Sequence, residues 1–117
     1  MLNLREYAFD RFRLSLLDAE QKRNVGKTWE IMTVAVDKWK KDYRLLAAVW
    51  LFLFQRWLSA AECRQFELAN IYGHMLELIC NVTARRNLPW DDYQAFSRLT
   101  QDDPFNSRWQ DALADYQ

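Results

Sequence analysis

Between Val25 and Ala60 the apolar residues fall at alternating steps of four and three: Val25, Trp29, Met32, Val36, Trp39, Tyr43, Leu46, Trp50, Leu53, Trp57 and Ala60. A mean period of 3.5 residues marks the buried stripe of a helix. Four of the six tryptophans lie on it. One unbroken helix over this stretch would be about 54 Å long at 1.5 Å per residue, longer than a compact domain of this size is wide. A break is therefore expected at Lys40-Lys41-Asp42, where lysines suit a helix C-terminus and Asp42 can cap the next helix. The predicted helices are 28–41 and 43–58.

Upstream, Leu4, Ala8, Phe12 and Leu16, widened by Phe9 and Leu17, predict a helix over 3–23 with Asn3 as its N-cap. Downstream, Ser59-Ala60-Ala61-Glu62 has the form of a capping box, which predicts a helix over 60–86. Phe66, Ala69, Gly73, Leu76 and Cys80 lie on one seam of it, and Leu68, Ile71, Met75, Ile79 and Val82 on a second. Gly73 is read as a place where a neighbouring helix or ring comes close. Pro89 suits a first helical position, and Asp91 and Asp92 complement the positive end of the helix dipole, which predicts 89–100. Ser107-Arg108-Trp109-Gln110 repeats the capping-box form and opens a last helix, 107–116. The expected fold is all-α: one domain over 1–117, a compact bundle of five or six helices centred on 43–58 and 60–85.

Leu45 to Phe54 is a run of consecutive apolar residues, half the length of a membrane span. A helix apolar all round belongs in the centre of a bundle or at a large interface. The central place is the favoured reading, with no membrane.

Composition closes off other folds. The chain has two glycines, two prolines and seven phenylalanines, and it lacks the Asn-Gly and Asp-Gly turns on which hairpin proteins depend. Half its residues are hydrophobic, more than a disordered chain carries. Net charge is zero, yet residues 1–58 hold 11 Lys/Arg against 7 Asp/Glu and residues 59–117 hold 5 against 9. That asymmetry suits two faces for different partners or a head-to-tail pair. Cys63 and Cys80, placed on one helix, are too far apart for a disulfide. They read as buried thiols of a reducing compartment, and the absence of a signal-peptide pattern near the N-terminus adds to an expected cytoplasmic location.

Chemistry is sparse. His74 is the only histidine. With Glu77 and Glu67 it offers a fragment of a carboxylate–histidine metal site, in reversed order and without a second histidine. Neither cysteine has the close pairing of a zinc site, and no phosphate-binding glycine loop or nucleophile elbow occurs. No catalytic residue and no cofactor are expected. Lys38, Lys40, Lys41 and Arg44 form a candidate basic patch, interrupted by Asp42 and without a helix-turn-helix pattern. Asp91, Asp92, Asp102 and Asp103, with Phe105, Trp109 and Tyr116, have the makeup of a surface for a basic protein, aromatic anchors ringed by charge. The leading expectation is a non-catalytic protein–protein interaction module of adaptor, inhibitor, immunity or chaperone type, able to form a homodimer. A nucleic-acid-associated protein using the Lys38–Arg44 cluster comes second, and a metal-dependent enzyme centred on His74 third.

Overall fold

The computed structural model describes residues 3–101 and 109–113. Among these the chain is all-α: α1 Leu4–Gln21, α2 Val25–Lys38, α3 Tyr43–Glu62, α4 Phe66–Val82, α5 Trp90–Gln101 and a short α6 Trp109–Leu113. α3 is the centre, packed by α4, α5, α6 and α1. Leu45 to Val49 and Leu51 to Leu53 are buried, while Tyr43, Trp50, Phe54 and Trp57 share a side that is only partly covered. α3 is also the one helix among the described residues long and apolar enough to cross a membrane. Here half of that apolar stretch is buried under other helices of the same chain.

The break at Lys40-Lys41-Asp42 is present. The Asp42 carboxylate accepts from the Leu45 N–H at 3.3 Å and from Arg5 Nε at 3.1 Å, so one side chain caps α3 and ties it to the start of α1. The Asn3 side chain likewise accepts from the Arg5 N–H. The 3.5-residue stripe turns inward at Met32, Val36, Leu46, Leu53 and Ala60, with Trp39, Tyr43, Trp50 and Trp57 partly buried against the core. Trp50 stacks on Phe54 at 5.3 Å, and Phe54 meets Trp57 at 5.9 Å.

Several expectations need correction. Trp29 is 36% exposed, because Thr28, Met32, Ala35 and Val36 are the buried face of α2 and the stripe is rotated by one residue at its start. Thr28 can occupy that place because its hydroxyl donates to the Asn24 carbonyl at 2.9 Å. Leu4 is exposed too; Phe9, Phe12, Leu16 and Ala19 form the core face of α1. The Ser59 capping box does not start a helix. α3 runs on to Glu62, since its apolar face continues through Trp57 and Ala60 and nothing there releases the backbone.

α3 stops instead at Cys63-Arg64-Gln65, in a turn with the same hydrogen bonding as Lys22-Arg23-Asn24 after α1. Arg64 has φ 58° and Arg23 φ 56°. The Gln65 N–H donates to Ala60 O and Arg64 N–H to Ala61 O; Asn24 N–H donates to Ala19 O and Arg23 N–H to Glu20 O. Both are Schellman turns carrying arginine where glycine is usual. Asn24 then caps α2 by accepting from the Lys27 N–H, so α2 begins at Val25 rather than 28. Cys63 ends α3 and Cys80 lies on α4, and both are exposed, against the expectation of buried thiols on one helix.

Where α1, α3 and α4 meet, the Glu20 carboxylate receives Arg56 Nε at 3.2 Å, a second Arg56 nitrogen, and the Tyr72 hydroxyl. Tyr72 is fully buried. Burial, followed by its hydrogen bond to Glu20, pushes its phenol pKa well above the ordinary tyrosine value. The hydrogen bond to Glu20 raises the pKa of Arg56. This triad ties three helices together by charge-assisted hydrogen bonds, with Tyr72 buried and Glu20 and Arg56 part-buried.

Candidate functional site

Once α1 has given Phe9, Phe12, Leu16 and Ala19 to the core, and α2 has given Thr28, Met32, Ala35 and Val36, each helix still carries apolar residues on its other side. The sides meet in an open groove of about 710 Å³. α2 contributes Lys27, Ile31, Val34 and Lys38 at steps of four, three and four, two apolar residues between two lysines. α1 contributes Tyr7, Ala8, Arg11 and Ser15. Val34 is 59% exposed and Tyr7 49%, while Phe12 and Ala35 are buried in the floor. The small side chains of Ala8, Ser15 and Ala35 keep that floor low, which permits the close approach that helix packing needs.

The groove has two unlike ends. The three-residue turn folds α2 back on α1, and Phe12 packs edge-on against Trp39 at 5.8 Å. Tyr7, Arg11, Lys38 and Trp39 therefore belong to one end, and Ser15, Lys27 and Glu30 to the other. Lys27 pairs with Glu30 at 3.8 Å, so its charge is offset. At the opposite end the Arg11 guanidinium lies over the Tyr7 ring at 5.9 Å. No acidic partner of Arg11 or Lys38 occurs among the described residues. The rim carries three cations against one carboxylate, and the surplus sits at the Tyr7–Trp39 end.

The predicted basic patch spans the junction between α2 and α3. Lys38 lines the groove, Lys40 pairs with Asp37 at 3.7 Å, and Lys41 and Arg44 lie on either side of the capping Asp42. Of the predicted acidic surface, Asp91 is exposed and Asp92 partly buried in the first turn of α5. Beside them Trp90 stacks on Tyr93 at 5.9 Å beneath the Arg85 guanidinium at 4.4 Å. Trp109 packs on Phe9 at 4.8 Å, with Arg13 over its outer face at 5.7 Å. Asp102, Asp103, Phe105 and Tyr116 lie outside the described residues, as does the Ser107 capping box.

Two further concavities differ in kind. A pocket of about 380 Å³ lies where the two Schellman turns converge, between Arg23-Asn24-Val25 and Gln65-Phe66-Glu67, with Glu20 in its wall. Arg56 and Tyr72 already occupy the Glu20 carboxylate. Between α3 and α4, exposed His74 lines a shallow hollow with Trp57, Gly73 and Glu77. A Cβ on Gly73 would stand 3.6 Å from Trp57 Nε1, an ordinary contact, so Trp57 is indeed its neighbour but does not require glycine. Among the described residues, no group of three or more His, Cys, Asp or Glu side chains could hold a metal ion.

The four-residue repeat of α1 assigns Leu4 and Ala8 to the core, which hides the groove, whereas the buried face is Phe9, Phe12, Leu16 and Ala19. Tyr7 on α1 and Val34 on α2 are apolar yet lie off the stripes that fill the core, the one trace of the groove in the sequence. No protein-family model, curated protein or solved structure matches the chain.

Proposed function

We propose that the protein is a non-catalytic interaction module that takes a helix of another protein into the groove between α1 and α2. One observation carries this reading. Tyr7 on one wall and Val34 on the other stand open to solvent, part-buried Ile31 lies about one turn before Val34, and the groove follows α2 from Lys27 to Lys38. An amphipathic helix laid in such a groove buries its own apolar face against theirs. The burial of Leu45–Val49 and Leu51–Leu53 by the same chain supports a separate partner rather than an obligate second copy, since the most apolar stretch of α3 is already covered from within. The clasped Glu20–Arg56–Tyr72 triad supports a scaffold in which the buried polar groups hold helices rather than turn over a substrate.

A photo-crosslinking side chain placed at Val34, in the protein's own cells, tests the proposal. It is expected to give adducts with another protein that survive nuclease treatment, while the same group at Glu77 on α4 does not. Adducts of twice the chain mass would assign the groove to a second copy. Nuclease-sensitive adducts, or equal yields from both positions, would refute the reading.

A further inference from the structure

We infer that the helix received by the α1–α2 groove is acidic and carries its carboxylates at one end, beside Arg11 and Lys38. This rests on the docking reading above and specifies its partner. Ile31 and Val34 are three residues apart on one face of α2, so the incoming helix needs two apolar side chains about one turn apart to cover them. One turn further toward Trp39 the walls become cationic, through Lys38 on α2 and Arg11 on α1, which donates to the Tyr7 hydroxyl, and neither forms an ion pair with a carboxylate among the described residues. An apolar or basic helix would leave these two charges partly desolvated and unpaired as it closed over them. A helix with two Glu or Asp side chains there converts the same cost into charge-assisted hydrogen bonds, and a guanidinium can hold one carboxylate with two parallel bonds. At the opposite end Lys27 already has Glu30, so a neutral partner segment fits. The two ends thus fix the direction in which the helix lies as well as its charge.

The polarity also separates this proposal from nucleic-acid binding. A phosphate backbone would need cations repeated along the whole groove, whereas Ile31 and Val34 occupy its middle and Glu30 stands at one end.

Three synthetic helical peptides, followed by fluorescence anisotropy with the full chain, provide the test. The first has two leucines three residues apart and two glutamates one turn beyond them. The second replaces those glutamates with lysines, and the third scrambles the order of the first. The acidic peptide is expected to bind at least tenfold more tightly than the other two, and to weaken severalfold between low and high salt. Arg11→Glu combined with Lys38→Glu is expected to reverse the preference between the first two peptides. Both positions are exposed, and an unchanged urea midpoint confirms that the variant folds. Equal binding of acidic and basic peptides would overturn the charge assignment and leave the docking reading standing. If no peptide binds, and a crosslinker at Val34 captures nothing, the docking reading itself fails. Duplex DNA displacing the acidic peptide, with the same double variant abolishing DNA binding, would overturn the proposal in favour of a nucleic-acid surface.

Discussion

α2 and α3 carry apolar residues at the same 3.5-residue period, one after the other on a continuous pattern, yet they end in different surroundings. In α3 no large apolar residue is exposed; four helices enclose it. In α2, Trp29 and Val34 face solvent, and beside Val34 lies a groove that no described part of the chain fills. The period marks which residues share a face but does not say how many faces will be covered. What separates the helices is the residues between the stripe positions. In α3, from Leu45 to Leu53, these are Leu45, Ala47, Ala48, Val49, Leu51 and Phe52; in α2 they include Lys27, Glu30, Thr33, Asp37 and Lys38. A helix apolar on every side must be enclosed. One with two apolar stripes edged by charge can keep the second for a partner.

The difference should be largest in the cost of removing side chains. Leu53→Ala is expected to lower unfolding stability by about 2–5 kcal/mol, the loss of buried methyl groups plus the cavity left behind. Val34→Ala should stay within about 0.5 kcal/mol. Equal losses in urea unfolding would remove the distinction between an enclosed helix and an open one.

Next comes the polar clasp behind α3. Tyr72→Phe is expected to cost about 1.5–3 kcal/mol, the range for a hydrogen bond to a charged group. The effect has a pH signature. The phenol keeps its proton in the folded state beyond the point, about pH 10, at which an unfolded tyrosine gives it up. Its contribution is therefore complete below about pH 10 and declines as pH rises further. The gap between wild type and Tyr72→Phe should narrow from pH 9 to pH 11; a constant gap would show that the proton is not held by the fold.

A smaller effect belongs to the junction between the two helices. Asp42→Ala should cost about 1 kcal/mol through loss of the α3 cap, with less added by the half-exposed pair to Arg5. If Asp42→Asn recovers most of that loss, the cap is the cause. Smallest, and opposite in sign, is Arg64→Gly, which relieves a left-handed backbone and should stabilise by up to about 1 kcal/mol. A loss instead would mean that the Arg64 side chain contributes more than its backbone costs.

Much of this architecture was legible in the residues. Asp42 and Asn3 announced their caps, the scarcity of glycine and proline excluded hairpins, and the ten-residue apolar run identified the central helix. The end of α3 was not legible, because the left-handed turn residue there is Arg64 rather than glycine and a misleading Ser-Ala-Ala-Glu lay just before it. The same substitution at Arg23 blurred the α1–α2 turn and with it the start of α2. The groove stayed hidden for another reason. Tyr7 and Val34 look like core residues one at a time, and only the side-by-side placement of α1 and α2 shows that their core faces are already filled by others.

Carbene footprinting of the free protein over a dilution series tests the contrast between α3 and the groove most directly. Strong labelling of Tyr7 and Val34, with residues 45–53 protected at every concentration, is the predicted result. Labelling of 45–53 that grows on dilution would mean that another chain covers α3, and protection of Tyr7 and Val34 in the free protein would mean that the groove is already closed.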